Sequence, residues 1–305
     1  MPASQRPDGA LLAAGTALIS GVSVFVNGYG VRAWTEVSNA TTYTTLKNAG
    51  AAMILSLALV LGVRRRSNRT PDAAVIRRHW LGLSLVAVVG GSIPFVLFFE
   101  GLARATSTDA AFIHKTLVVW VAALAVVFLG ERIRLPHLAA IALLVVGQAA
   151  LSGGVNEVAL GGGELMILAA TLLWSIETIV SKRLLASVPP LTLGVARMAG
   201  GAVLLVVFVL ARGGFGLSGV GLEHMLWIAV TSLALAGYVA TWYTALARSR
   251  AIDVTAVLVG GAIITALLET GIRGVVFPPT LGVALIATGV VVFIATGWRR
   301  LATAR

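Results

Sequence analysis

Three cations stand where the sequence is otherwise apolar: Lys47, Lys115 and Arg197. Lys115 and its neighbour His114 interrupt the almost wholly apolar run from Ala110 to Leu129, which is about long enough to cross a hydrocarbon core as a helix. A charge in the middle of such a helix costs ~2.5–3.5 kcal/mol on insertion scales, so it faces a partner or a watery cavity. Lys47 and Lys115 lie about 8 residues into their runs and Arg197 about 7, which places all three ~10–12 Å deep at a helical rise of ~1.5 Å. Cations held there attract a carboxylate, a phosphate or another anionic group. The plainer alternative is that each pairs with a buried acid such as Glu177, or snorkels to an interface.

The acids are shallower. Glu100 and Asp109 flank one turn, Glu269 ends the ninth run, and Glu177 lies near the end of the sixth, one turn from Trp174 and Ser181. A buried carboxylate can carry a coupling proton, and Glu177 is the first candidate, Glu100 the second. The alternative role for Glu177 is as partner to Lys182 or Arg197. His114 points about 100° away from Lys115 on a helix, so the two cannot face one point squarely. Either it lines a cavity or it bonds to a neighbouring helix.

Polar and aromatic side chains recur at helical spacing. Thr16, Ser20, Ser23 and Asn27 form one stripe, Tyr43, Lys47 and Gly50 share a face, and Tyr238 and Trp242 share another. Asn27, Tyr43, Tyr238, Trp242 and Trp174 are therefore candidates to line a solute site, with helix–helix glue as the alternative. The glycines at 50, 200, 201, 260 and 261 read as close-packing positions, and Pro94 predicts a bend.

The elements that must position these residues follow from composition. Of 305 residues 58% are hydrophobic and only 11% charged, with mean hydropathy +0.96. Soluble domains carry about 25% charged residues, so lipid is the expected solvent for much of this surface. The net charge of +11 does not point to nucleic acid, because the cations lie in short segments between apolar runs. There are no cysteines and four scattered histidines, hence no thiolate metal site and no expected metal or cofactor. No P-loop, HExxH or GxSxG motif is present, so no enzyme is indicated.

Ten spanning runs are predicted near 10–31, 39–62, 80–101, 107–129, 136–153, 161–181, 190–211, 223–246, 253–271 and 280–298. The first reads as a retained helix rather than a cleaved leader. With a cytoplasmic N-terminus, inner segments hold 16 Lys and Arg against 4 outside, and the remaining three are the in-span cations. The positive-inside rule then puts both termini in the cytoplasm.

The chain also repeats itself. Leu102-Ala103-Arg104 with Asp109 recurs as Leu246-Ala247-Arg248 with Asp253, at an offset of 144. Phe98 and Phe99 match Trp242 and Tyr243; Pro136 and Gly147 match Pro278 and Gly289; Thr16, Ser20 and Ser23 match Thr171, Ser175 and Thr178; Lys47 matches Arg197. The expectation is two units, 1–155 and 156–305, of five spans each. Because five is odd, the second unit threads the membrane in the opposite sense, a 5+5 inverted repeat with its site near the midplane.

The segments Ala103-Arg104-Ala105-Thr106-Ser107 into Ala110-Ala111, and Phe128-Leu129-Gly130-Glu131-Arg132, resemble the drug/metabolite transporter superfamily, in its EamA branch of ten-helix carriers. Leu246-Ala247-Arg248 and the Gly282 to Gly289 spacing repeat part of the pattern, so the resemblance covers essentially the whole chain. Two features depart from it. The proline often found in the fourth span is absent, with Leu117 and Val118 near its place. The second half has Gly271-Ile272-Arg273 in place of the Gly-Glu closing pair, which suggests that the halves gate unequally.

The resemblance implies an all-α integral membrane carrier that exports metabolites or drugs by alternating access, with protons as candidate coupling ions. The cation excess favours an anionic or zwitterionic solute such as an amino acid or organic acid, fixed by Lys115 and Lys47. Alternatives are a proton-coupled exporter of cationic drugs that uses Glu177 or Glu100, a membrane enzyme acting on lipid, and a scaffold that moves nothing. An alanine-rich chain with Arg favoured over Lys suggests a prokaryotic inner (plasma) membrane.

Overall fold

The computed structural model describes residues 7–65, 73–102, 104–105, 107–151, 161–274, 276 and 280–302. Ala103, Thr106, the loop 66–72, the link 152–160 and Pro278 lie outside them, as does the side chain of Asp109. The first half holds α1 (Pro7–Val37), α2 (Ala40–Arg65), α3 (Ala73–Arg78), α4 (Trp80–Gly91), α5 (Ile93–Leu102), α6 (Ser107–Lys115), α7 (Leu117–Leu129) and α8 (Leu135–Leu151). The second holds α9 (Gly162–Leu184), α10 (Pro190–Ala211), α11 (Leu222–Arg248), α12 (Ala251–Val259), α13 (Gly261–Arg273) and α14 (Thr280–Ala302).

All ten predicted runs are helical. Eight are long and apolar enough to cross a membrane, and α8 and the 280–295 part of α14 are shorter apolar helices. Large apolar side chains stay exposed along the outside, Leu57, Val127, Leu204 and Leu233 among them, as a lipid solvent requires.

Among the described residues three spans are broken, two of them for a visible reason. Pro94 has no N–H to offer the Gly90 carbonyl. The third span breaks there into α4 and α5, and the Trp174 indole N–H takes up that carbonyl at 3.1 Å. The fourth span breaks at Thr116 without any proline: the Thr116 hydroxyl donates to Ile113 O at 2.6 Å and its N–H tightens onto Ile113 O at 3.1 Å. The ninth span breaks at Gly260, which stands 144 residues after Thr116. The repeat offset read from the sequence thus also relates the two breaks. It relates the helix ends as well, for α7 closes on Gly130 with φ 65° and α13 on Gly274 with φ 66°. Both are left-handed caps that favour glycine.

This corrects one reading of the sequence. The second-half counterpart of Gly130 is Gly274, not Gly271, because the cap geometry fixes the register. The glycine is kept, and Val275 stands where the first half has Glu131.

The packing exchanges the halves in the same way. Helix α1 lies along α11 and along α12–α13, and α9 lies along α4–α5 and along α6–α7. Helix α2 packs on α11 as α10 packs on α4, and α2–α10 and α8–α14 pair across the halves. At the α4–α10 crossing the backbones touch: a β-carbon on Gly91 or Gly201 would collide with main-chain atoms of the other helix.

Candidate functional site

The face-sharing pair predicted on α2 is real, and α1 completes it. The Lys47 ammonium donates to Asn27 Oδ1 at 3.0 Å, and the Tyr43 hydroxyl donates to the same oxygen at 2.9 Å. Asn27 is oriented in turn by its own amide, which donates to Ser23 O at 2.7 Å. Lys47 is only 5% exposed, and its nitrogen lies 5.3 Å from the ring centroids of both Tyr43 and Phe99. Each such cation–π contact contributes roughly 0.5–2 kcal/mol, which offsets part of the cost of burying the charge. No carboxylate among the described residues is within ion-pair distance of Lys47; the described pairs are Arg104–Glu100, Arg250–Asp253 and Arg273–Glu269.

A second cluster joins α9, α10 and α11. Glu177 is buried, and its Oε1 accepts from the Tyr243 hydroxyl at 2.6 Å and the Ser181 hydroxyl at 2.5 Å. Arg197 is 6% exposed, with an Nε that has no hydrogen-bond partner among the described residues. Gly90 on α4 is what lets the two groups stand so near each other: a β-carbon there would strike Glu177 Cγ and come within 3.1 Å of Arg197 Nε. Lys182 is not the partner of Glu177. Its ammonium donates to Leu246 O and Ser249 O, both at 2.6 Å, and so caps the end of α11.

Aromatic rings connect these clusters. His114 packs edge-on against Phe98 (5.3 Å) and Trp174 (5.1 Å), and its Nδ1 is buried without a partner among the described residues. Phe98 touches Phe99, the ring beside Lys47. Tyr238 and Trp242 stack at 6.0 Å and 11°, as their spacing predicted.

Two predicted residues stand apart. Lys115 is half-buried in the last turn of α6, beside His114. It makes no ion pair with a described carboxylate, and the structure does not join it to the Lys47 cluster. Glu100 is tied to Arg104 at 2.9 Å and to the Thr41 hydroxyl at 3.4 Å.

Phe99, Ser181 and Tyr243 entered the sequence reading as repeat or spacing matches and not as candidate site residues. The repeat carried the signal, because Phe99 and Tyr243 are equivalent positions and each reaches an in-span charge of its own half's partner helix.

The two ends of the bundle carry different contacts. At the end rich in Arg and Lys, Glu131 accepts from the N–H groups of Ala251 (2.8 Å) and Ile252 (3.2 Å). Burial raises the pKa of the Glu131 carboxyl, while those two N–H groups and Arg250 work the other way. Arg183 donates to Phe128 O and lies over the Phe128 ring. At the opposite end Arg273 holds Glu269 through bonds of 2.9 and 3.0 Å and lies 4.2 Å from the Tyr29 ring centroid.

Known proteins resemble this arrangement. The model of the EamA-like transporter family matches twice, over residues 8–153 and 161–296. An "Uncharacterized transporter" of Methanothermobacter thermautotrophicus is 28% identical over 146 residues, 46% of this chain and 42% of the relative, so the match spans less than half of that protein. A solved crystal structure shares the fold at TM-score 0.74 and 17% identity, over 96% of this chain and 99% of its own. With both halves matched by one family model, the chain belongs to the EamA-like transporter family and is a multi-pass membrane protein.

Proposed function

We propose that the protein is a secondary carrier for a small organic solute with an anionic group, zwitterions such as amino acids included, and that it works as an exporter. Units 1–155 and 156–305 alternate around a central site, with both termini and the basic end in the cytoplasm and the chain in the inner (plasma) membrane. The carrying observation is Lys47: a buried ammonium with an amide oxygen and two aromatic rings around it, and no described carboxylate in range. Among the described residues only one of its three N–H donors is used, so two remain for a carboxylate or phosphate oxygen. Arg197 and Lys115 add positive potential, and Asn27, Tyr43, His114, Trp174, Tyr238 and Trp242 supply the walls. A thermal-shift screen of the purified protein against a metabolite library sorted by charge tests this. Stabilisation by anions or zwitterions supports it, and stabilisation by cations alone sinks it.

One observation favours a second reading, proton-coupled export of a cation. Glu177 is a buried carboxylate held by two hydroxyls and free of any ion pair among the described residues. It can take a proton or a cation in turn, with Glu100 as a shallower relay. Vesicle counterflow with anionic against cationic solutes separates the two readings.

A further inference from the structure

The basic end is fastened through one carboxylate. Glu131 follows α7, yet its two oxygens accept from the first N–H groups of α12, 120 and 121 residues further along the chain. A helix start leaves such groups unpaired and carries a positive dipole end. The residue before α12, Arg250, supplies no side-chain cap, so Glu131 does this from another span. Arg250 instead pairs with Asp253 at 3.0 Å and donates to Arg132 O at 3.3 Å, which braces the same junction.

The opposite end repeats the geometry without the acid. The left-handed caps Gly130 and Gly274 are equivalent, but Glu131 follows the first and Val275 the second. Among the described residues, α13 meets α1 there through the Arg273 guanidinium on the Tyr29 and Phe25 rings. The two closures are therefore chemically different, and a substitution can address one alone.

We propose that Glu131 is the gate residue of the cytoplasmic end, and that the α7–α12 contact it makes must break each time that end opens. The proposal rests on the alternating-access reading. The contact suits release, because burial opposes the charged carboxylate while the N–H groups hold it. When α12 separates, water replaces both partners at little net cost.

The chain contains no cysteine, so single-cysteine reporters need no background removal. Ala256→Cys on α12 (0% exposed) reports the basic end and Ala110→Cys on α6 (2% exposed) the opposite end. Maleimide labelling is measured in oriented vesicles of the full-length protein. Glu131→Ala is expected to raise Ala256→Cys labelling about five- to tenfold, the usual consequence of losing a helix cap, and to leave Ala110→Cys labelling unchanged or lower. Glu131→Gln keeps an acceptor oxygen and stays within about twofold of the parent. Glu131→Asp falls one methylene short of the two N–H groups, gives an intermediate rise, and serves where the alanine variant does not fold. Unchanged Ala256→Cys labelling overturns the proposal, as does a rise at both ends, which is general loosening. Failure of the carrier reading shows separately, as a parent protein whose two labelling rates no solute in the library alters.

Discussion

Lys47 and Phe99 meet across the interface of α2 and α5, ammonium nitrogen to ring centroid 5.3 Å, and the Tyr43 ring lies at the same distance. The ring does two things: it offsets the burial of the charge and takes up none of the N–H donors that the Asn27 contact leaves over. Phe99→Leu keeps most of the volume and removes the quadrupole. The expected result is a folded protein whose affinity for an anion that stabilises the parent changes by about two- to tenfold, read from the half-saturation of counterflow.

Tyr243→Phe removes one of the two hydroxyls on Glu177 Oε1. A buried carboxylate that loses a donor destabilises the fold by about 1–3 kcal/mol. The melting temperature of the purified variant should fall, and Tyr243→Phe combined with Glu177→Gln should lose less than the two single changes together, because the shared contact is lost only once.

Glycine has opposite meanings at two positions. A β-carbon at Gly91 collides with the α10 backbone, whereas one at Gly15 meets nothing within 4 Å. Gly91→Ala should cost about 1–3 kcal/mol or more and lower the melting temperature. Gly15→Ala should leave it unchanged or raise it, through the better helix propensity of alanine.

The spans and the Tyr43–Lys47 face were legible because they are local, whereas the Asn27 oxygen that joins them comes from another helix. Hydropathy marks a lipid-facing helix, and i, i+4 spacing puts Tyr43 beside Lys47 whatever the tertiary fold. The offset of 144 was legible too, and the structure extends it to the breaks at Thr116 and Gly260. What the chain does not announce is contact across sequence distance: Tyr243 reaching Glu177 over 66 residues, or Glu131 capping α12 over 120. The counterpart of Gly130 was read at Gly271 and not at Gly274 because a glycine's φ is not written in its letter. Lys115 was read from depth alone, and depth does not fix the rotation of a helix about its axis.

Glu131 also makes a pH prediction. Burial raises its pKa above the ordinary 4.5 in the closed arrangement. The closed form therefore binds the proton more tightly than the hydrated, open form. That favour is full below pH 4.5 and is lost as pH rises through the raised value. Asp253, Arg250 and Lys182 share the junction, so the assay needs a variant that isolates Glu131. Labelling of Ala256→Cys should fall as the basic side is acidified, and Glu131→Gln should flatten that dependence.

The central claim is that the Lys47 ammonium holds the anionic part of the solute, and counterflow in reconstituted vesicles tests it most directly. A library anion that stabilises the parent protein should exchange in parent vesicles. In Lys47→Gln vesicles, which keep the side chain's hydrogen bonding and lose its charge, exchange should fall at least tenfold while the folded protein stays in the membrane. Parent-like exchange of that anion by Lys47→Gln would contradict the account.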